Sequence, residues 1–398
     1  MSRRLLSFMT VIICFVFILS LGVNTGLNIG EAAKKLSLTK IESSDKKAVI
    51  KCTKNTFIVK DGVRIDGEIP SVTTEVYFSQ TVNSVVYHAY ENHTFASDIF
   101  KISVSDKAYR LSEQGELTLT YSKSISKLVA DRLSVWYNEK PDDFNGCKPK
   151  DNCLGGYINA GKNTVTVPFQ IKNKDVYYAV FLDQREPAFE FKDEEDKWSY
   201  SYVIPLWSKE IMNTDNKNIG EYIDRREFVF IMVRGLGLPL IEDNNKDNNK
   251  DNNNTFYDVP TSDEDFSFVE TAARYGIING FPPIQGKTKP GFEHDKEGNE
   301  VKNLTREQAA AIIARVANLK LQTDVDKVKN DLKKVFPDDG DKVSPWAAPA
   351  VLAVYKAKFM EGDKNEKGKV VSFRPNAHLK RSEAAKITYL LFKKLKKI

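Results

Sequence analysis

The sequence has little cysteine and histidine and almost no excess of charge. It contains four residues of each of these two types among 398, and they do not cluster as a zinc site requires. The 59 basic residues are nearly balanced by 54 acidic ones, which does not indicate a broad nucleic-acid-binding surface. Beyond residue 23 no apolar run is long enough to cross a bilayer. We expect no nucleic-acid partner, no metal or other cofactor and no membrane span in the mature protein.

Catalytic motifs are also missing. The chain has no Gly-x-Ser-x-Gly, no His-Glu-x-x-His and no glycine-rich phosphate loop. His88 and His93 lie close together, but a metal or acid–base role needs further ligands or a nucleophile. A glycosidase needs only two carboxylates brought together in space, so a polysaccharide-acting enzyme or carbohydrate-binding protein that uses the N-terminal part stays open. The prediction is a protein that is not an enzyme.

Residues 1–33 have the order of a secretory signal peptide. Arg3 and Arg4 precede an uncharged run over residues 5–23, and the small residues Ala32 and Ala33 follow. About 20 apolar residues can also span a bilayer, so a retained anchor is the alternative. We expect cleavage and a secreted protein.

The remaining cysteines predict one local disulfide. Cys14 lies in the signal segment, whereas Cys147 and Cys153 flank a short loop. In an oxidising compartment a disulfide between Cys147 and Cys153 is the simplest interpretation. Cys52 is expected to be a buried small apolar residue.

Residues 34–189 alternate between apolar and polar side chains. The alternation is clear in the segments 100–105, 117–121 and 164–169, and such a period of two is typical of strands that bury one face. Many short strands with Gly and Asn turns predict an all-β sandwich, as one module or two subdomains. The chain is therefore expected to be multidomain, because a different pattern follows.

From residue 190 the period becomes helical and the sequence repeats. Three units follow one template: Phe-x-Asp, an aromatic residue, a helix, a loop, a helix start containing Arg, and a second helix. The units cover residues 190–240, 256–320 and 336–398, and such repeats bury their faces against one another. The Asp/Asn/Lys segment 241–255 has almost nothing to bury and predicts a disordered linker. A calcium loop there would need a Gly and a terminal Glu that are absent.

An arginine recurs at the start of the second helix of each unit. Thr305 and Gln308 form a capping-box pattern, which places Arg306 at the first helical position, and Arg225 and Arg381 occupy the same place in the other units. Unpaired backbone N–H groups and the helix dipole favour an anion there, and a guanidinium can bind a carboxylate bidentately. The alternative is that each Arg pairs with the Phe-x-Asp aspartate of a neighbouring unit. The threefold recurrence favours ligand binding.

Other template positions have two interpretations. Asp193, Asp258 and Asp338 could cap the first helix or receive sugar hydroxyls, and capping is preferred. Trp198 and Trp346 could stack on sugar rings or pack in the core, whereas Phe266 is expected in the core.

This combination of Phe-x-Asp-Val, an Ala-rich helix, Gly-Ile-Ile-x-Gly, Phe-x-Pro and Thr-Arg-x-Glu resembles the S-layer homology repeat of bacterial surface proteins, over residues 190–398. The resemblance implies an all-α domain of three lobes with pseudo-threefold symmetry. Its grooves would bind pyruvylated secondary cell-wall polysaccharide attached to peptidoglycan, with the motif arginines at the pyruvate carboxylate and with Gly280 and Gly362 in the site. A wall-anchored protein of the S-layer is implied, and self-association in a surface lattice is left open.

The units depart from that pattern in ways that rank the grooves. The first unit is short between its helices, Lys380 stands where Thr would cap the third, and Gln308 stands where Glu is usual in the second. We expect the groove around Arg306 to be the most intact.

Overall fold

The computed structural model describes residues 40–53, 56, 58–60, 63–64, 73–78, 89–104, 106–141, 143–172, 175–187, 189–191, 194–213, 217–241, 254–295 and 297–398. The predicted signal segment 1–33 lies outside these residues, as do Asp193, His88 and nearly all of the predicted linker.

The first half of the described chain consists of short strands. They are β1 (Lys40–Glu42), β2 (Ala48–Lys51), β3 (Ile58–Lys60), β4 (Val63–Arg64), β5 (Thr73–Phe78), β6 (His93–Phe95), β7 (Ile99–Ser103), β8 (Tyr109–Leu111), β9 (Gly115–Thr120), β10 (Leu133–Asn138), β11 (Cys153–Gly155), β12 (Tyr157–Asn159), β13 (Thr164–Phe169) and β14 (Asp175–Asp183). A short helix, α1 (Pro149–Asn152), precedes β11. Burial alternates residue by residue along β9 and β13, so the expected β-rich N-terminal region is confirmed.

Two antiparallel sheets share one hydrophobic core. One has the strand order β1-β2-β9-β13-β12, and the other has the order β11-β10-β14-β7-β5, with β6 also paired to β14. Leu117 and Val165 from the first sheet and Phe100 and Val180 from the second belong to the same buried cluster. The strands β4-β3-β8 form a small separate sheet. The sheets thus meet face to face through their apolar faces, as period-two patterning requires.

The predicted disulfide is wrong, because Cys147 and Cys153 are free thiols. The Sγ atom of Cys147 lies 3.8 Å from the Tyr137 carbonyl oxygen, and that of Cys153 lies 3.6 Å from the Lys209 carbonyl oxygen. The two thiols therefore contact different segments. Burial raises the pKa of Cys147 to about 12 and that of Cys153 to about 11, which makes both poor nucleophiles. Cys52 is also free and only partly buried.

The second half of the chain is helical. Its helices are α2 (Tyr200–Trp207), α3 (Arg225–Leu236), α4 (Phe266–Arg274), α5 (Arg306–Val316), α6 (Val325–Val335), α7 (Ala348–Lys356) and α8 (Arg381–Lys394), with one hairpin, β15 (Asp363–Lys364) and β16 (Val370–Ser372). Helix α6 falls between the second and third predicted units and packs against α7. Within the described residues, no helix has the length and apolarity needed to cross a bilayer.

The segments that precede α3, α5 and α8 bond to one another in a closed ring. The Ile223 N–H donates to the Leu379 carbonyl at 2.9 Å, Leu379 donates to Leu304 at 2.8 Å, and Leu304 donates to Ile223 at 3.2 Å. All three side chains are buried. Each unit therefore satisfies its neighbour's backbone at the centre of the helical part.

The β-rich part and the helical part belong to one compact unit. Lys209, only 1% exposed, donates its ammonium group to the Asp131 carbonyl oxygen. Arg234 of α3 donates to the Cys153 carbonyl at 3.2 Å. The indole of Trp207 lies 4.5 Å from the Arg185 guanidinium carbon. The end of α2 is thus fixed on the β-rich part by buried polar contacts.

Candidate functional site: the junctions between repeats

Each motif arginine occupies the first position of its helix, as predicted. The expectation that the backbone N–H groups there are free is wrong. The N–H of Arg225 donates to Lys302 at 2.9 Å, and those of Arg306 and Arg381 donate to Ala377 at 3.0 Å and Glu221 at 2.8 Å. Each acceptor is a carbonyl of the next unit in the ring. Because the neighbouring unit uses these donors, an anion at the junction would have to bind the side chain.

The capping patterns at these helix starts differ between units. The Thr305 hydroxyl accepts from the Gln308 N–H at 3.4 Å, and the Gln308 side chain accepts from the Thr305 N–H at 3.2 Å, so the capping box is confirmed. Asp224 accepts from the Glu227 N–H at 2.6 Å. At α8 the Lys380 N–H donates to Glu383 at 3.1 Å. All three helix starts are fixed locally despite the different cap residues.

The guanidinium groups form a second ring of contacts between units. Each reaches the third helical residue of the next unit: Arg225 Nη1 lies 3.2 Å from Gln308 Oε1, Arg306 Nη1 lies 2.6 Å from Glu383 Oε1, and Arg381 Nε lies 3.0 Å from Glu227 Oε2. The alternative partner, a Phe-x-Asp aspartate of the neighbouring unit, is wrong for Arg225 and Arg306, which contact neither Asp258 nor Asp338. For Arg381 it stays a prediction, since Asp193 lies outside the described residues. The residue three positions into the neighbouring helix takes its place.

Arg225 differs from its two counterparts in the charge of its partner. Arg306 and Arg381 each pair with a carboxylate, whereas Arg225 contacts the neutral amide of Gln308. Arg225 is 7% exposed, donates Nε to the Phe292 carbonyl at 2.9 Å and has its guanidinium carbon 4.5 Å from the Phe281 ring centre. Burial lowers its pKa to about 10. Among the described residues it has no carboxylate within ion-pair distance.

The residue after each motif arginine also joins two units. Arg226 binds Asp263 at 2.7 Å and Glu293 at 2.8 Å. In the equivalent positions, Glu307 accepts from the Ser344 hydroxyl at 2.7 Å and Ser382 donates to Asp196 at 2.9 Å. Asp263, Ser344 and Asp196 precede the first helix of the next unit, whereas Glu293 lies between the two helices of the second unit. The residues at this second position therefore link neighbouring units in addition to the motif arginines.

The template aspartates do not cap the first helix, because α4 and α7 begin well beyond them. The Asp258 carboxylate accepts the backbone N–H groups of Phe292, Glu293 and His294 at 2.7, 2.8 and 3.1 Å. In the third unit Asp339 performs this role through Phe373 and Arg374, and Asp338 is exposed. The preferred capping role is therefore wrong for Asp258 and Asp338. Their contact with sugar stays a prediction, as does any role of Asp193.

The two tryptophans are exposed, 46% for Trp198 and 58% for Trp346, whereas Phe266 is buried as expected. The ends of the first helices give the register, since Ile211, Ile277 and Phe359 donate to Leu206, Ala272 and Val354. Trp198 and Trp346 lie the same number of residues before Ile211 and Phe359. The residue at that distance before Ile277 in the second unit is the exposed Glu264. Phe266 is therefore not their counterpart.

Gly280 and Gly362 permit close backbone packing. Gly280 has a φ of +72°, and an added Cβ would lie 2.5 Å from the Gly291 carbonyl oxygen. A Cβ at Gly362 would overlap the Ser372 carbonyl oxygen. Both positions exclude a side chain for structural reasons, and their predicted ligand contact stays a prediction.

The buried His93 belongs to the β-rich part. Its Nε2 lies 3.7 Å from Asp183 Oδ1, and Asp183 is also bound by Arg185 at 2.8 Å. Burial lowers the pKa of His93. Within the described residues no three His, Cys, Asp or Glu side chains form a set that could hold a metal ion. His93 is therefore placed inside a buried polar cluster and not at an open surface.

Sequence patterns missed the roles of Gln308, Arg226 and Asp339. Gln308 could have been found by comparing equivalent template positions, because both of its counterparts are Glu. Asp339 follows Asp338 directly, and only the fold shows which carboxylate points at the backbone.

Comparison with known proteins agrees with the helical part. The family described as S-layer homology domain matches residues 255–283 and 338–385. An amylopullulanase from Thermoanaerobacterium thermosulfurigenes is 25% identical over 353 residues, which cover 87% of this chain and 16% of that protein. The chain thus spans about one sixth of the length of this relative. It contains S-layer homology domain sequence, which implies association with the cell wall or cell surface.

Proposed function

We propose that the chain binds secondary cell-wall polysaccharide, pyruvylated and anionic, and so anchors itself non-covalently to the peptidoglycan wall. The observation that carries this proposal is the equivalent placement of Arg225, Arg306 and Arg381 between neighbouring units. A guanidinium is suited to carboxylate recognition. The location would be extracellular, at the wall or S-layer, with self-association in a lattice left open.

The helical part would contain three tandem repeats about a pseudo-threefold axis. The family match covers parts of the second and third units. Three cyclic sets of contacts support the inclusion of the first: the backbone ring of Ile223, Leu304 and Leu379, the guanidinium contacts, and the contacts of the following residue. Each set includes one member from each unit, as a closed threefold arrangement requires.

The β-rich part would be a structural or interaction module, and the chain would not be an enzyme. Its buried junction with α2 and α3 supports a structural role. The rival is a polysaccharide-acting protein, favoured by the name of the amylopullulanase relative. That name describes a protein of which this chain spans only 16%.

Co-sedimentation of the full chain with wall sacculi tests the anchoring. We expect the protein to pellet with sacculi that carry the polymer and to remain in solution with sacculi from which acid has removed it. Equal pelleting with both preparations would contradict polysaccharide binding. Incubation with pullulan or starch tests the rival, since release of reducing ends by the purified chain would contradict a non-enzymatic role.

A further inference from the structure

A buried histidine lies close to the place where the β-rich part meets the helical part. The side chain of His93 has no exposed surface, and among the described residues its Nε2 atom has no hydrogen-bond partner. We propose that His93 makes this junction sensitive to acid: a proton on Nε2 draws Asp183 away from Arg185 and so loosens the hold of the β-rich part on the first repeat. This inference goes beyond wall binding and does not depend on it.

The hydrogen bonds of His93 determine which ring nitrogen carries the hydrogen. Its Nδ1 lies 2.8 Å from the Glu91 carbonyl oxygen, and because a carbonyl oxygen only accepts, Nδ1 is the donor. In the neutral ring Nε2 is therefore an acceptor, and it lies 3.7 Å from Asp183 Oδ1. Two acceptors thus face each other. A proton added to Nε2 would turn this contact into a charge-assisted hydrogen bond.

Asp183 is the first link in a series of ion pairs that ends in the helical part. Its two carboxylate oxygens accept Arg185 Nε at 3.0 Å and Arg185 Nη2 at 2.8 Å. The same Nη2 atom lies 2.8 Å from Oε1 of Glu210, which follows α2 in the first repeat. Arg185 Nε is bound by Asp183 Oδ1, the oxygen that His93 faces. A protonated imidazole therefore competes directly with Arg185 for Asp183.

The charges around His93 oppose a further positive charge. The charged groups that act on it are Asp183 and Arg185, at the end of β14, and Arg132, just before β10, whereas Glu91 contributes its backbone carbonyl. Burial lowers the pKa of His93, and the two guanidinium groups lower it further. Two cations and one carboxylate already share this site. A third cation would leave the buried site with an excess of positive charge, so acid should favour its opening.

Aromatic rings enclose the imidazole and exclude water from it. The ring centres of Tyr90, Trp136 and Phe181 lie 5.3, 5.1 and 6.3 Å from that of His93. On the other side of the ion pairs, the buried indole of Trp207 covers the Arg185 guanidinium. Because water does not solvate these groups, an added charge has to be met by the protein's own carboxylates.

The closed junction should be most stable above the pKa of an unfolded histidine, which is about 6.5. The folded pKa of His93 is lower, so between the two values the opened state binds more protons. The stability of the junction is therefore full above about pH 6.5 and is lost as the pH falls toward the folded value. Burial also raises the pKa of Glu210, so the experiment has to separate the two groups.

Hydrogen–deuterium exchange of the full chain tests this acid response, after correction for the intrinsic pH dependence of exchange. Between pH 7 and pH 5, opening of the amides of residues 203–212, which include Glu210, should become about tenfold more frequent. The amides of α5, in the second repeat, should show no such increase. In His93→Gln, whose side chain cannot gain a charge, the increase at residues 203–212 should be about twofold or less.

Two matched variants complete the exchange experiment. His294→Gln removes a histidine that is 38% exposed and paired with Asp258, and it should keep the tenfold response of the natural chain. Glu210→Gln cannot titrate at that position but retains His93, and it should keep most of the response. An equal increase in His93→Gln and the natural chain would overturn the proposal, as would loss of the response in Glu210→Gln alone.

An NMR titration of the natural chain with labelled histidine gives a second measurement, which holds even if His93→Gln folds poorly. The His93 signal, assigned through its ring contacts with Trp136 and Phe181, should titrate with a midpoint below about 6.5. The exchange of residues 203–212 should rise over the same pH range. A midpoint at or above the value of an unfolded histidine, or a junction that stays closed while His93 is protonated, would overturn the proposal.

Discussion

The first repeat has two junctions of opposite character. Toward the second repeat, Arg226 forms side-chain ion pairs with Asp263 and Glu293, and all three side chains keep some contact with solvent. Toward the β-rich part, Lys209 and Trp207 are buried, and Lys209 and Arg234 donate to backbone carbonyls. One ion pair, between Arg185 and Glu210 at 2.8 Å, lies beside them. A side chain that water reaches can give up its partner for a ligand, whereas a buried donor that is bonded to a backbone carbonyl cannot. The difference supports the proposal that recognition lies between the repeats, with the other junction contributing stability.

The largest expected loss of stability comes from truncating a buried side chain at the junction with the β-rich part. Trp207→Ala removes a buried indole that contacts the Arg185 and Arg132 guanidinium groups, and should lower the free energy of unfolding by about 3–5 kcal/mol. The exposed Trp346→Ala is the matched control, with an expected change of about 0.5 kcal/mol or less. Urea unfolding measures both. Equal losses of unfolding free energy in the two variants would contradict the difference between the buried and the exposed tryptophan.

The buried lysine should give this junction a characteristic pH dependence. Burial lowers the pKa of Lys209 to about 8, against about 10.4 in an unfolded chain. Between these values the unfolded state binds more protons, so stability should rise with pH. Relative to Lys209→Met, the natural chain should gain up to about 3 kcal/mol between pH 7 and pH 10.5. A difference in unfolding free energy between the two proteins that stays constant across that range would show that burial does not lower the pKa of Lys209.

A smaller effect is expected at the open junction. Arg226→Met should lower the free energy of unfolding by about 1–2 kcal/mol, because Asp263 and Glu293 lose their partner while water still reaches them. The bond to Arg226 lowers the pKa of Asp263 in the folded protein. The ion pair therefore stabilises the fold fully above the pKa that Asp263 has in the unfolded chain, and this stabilisation should fade as the pH drops through the lower pKa of the folded protein. Chemical unfolding at pH 7 and pH 3 should show a difference between the two proteins that shrinks in acid. A difference that grows in acid would contradict the pairing.

Local patterns predicted the elements better than their partners. Alternation identified β9 and β13, and capping chemistry placed Arg306 at the start of α5, because both depend on neighbouring residues. The partner of each arginine depends on residues tens of positions away, so the alternative partner Asp258 was wrong and the contact with Gln308 was missed. The spacing of Cys147 and Cys153 suggested a disulfide, but their side chains contact segments that only the fold brings near. The expectation that the groove around Arg306 is the most intact stays a prediction.

The closed ring of Ile223, Leu304 and Leu379 has a kinetic consequence. No two units can satisfy their central backbone groups by themselves, since each takes its acceptor from one neighbour and supplies the other. A chain that emerges from its N-terminal end must wait for Leu379 before the ring can close. Contacts so distant in sequence slow folding, because the entropy of closing long loops is lost before the contacts form. We expect the helical part to be acquired in one late cooperative step, with α8 as the closing element.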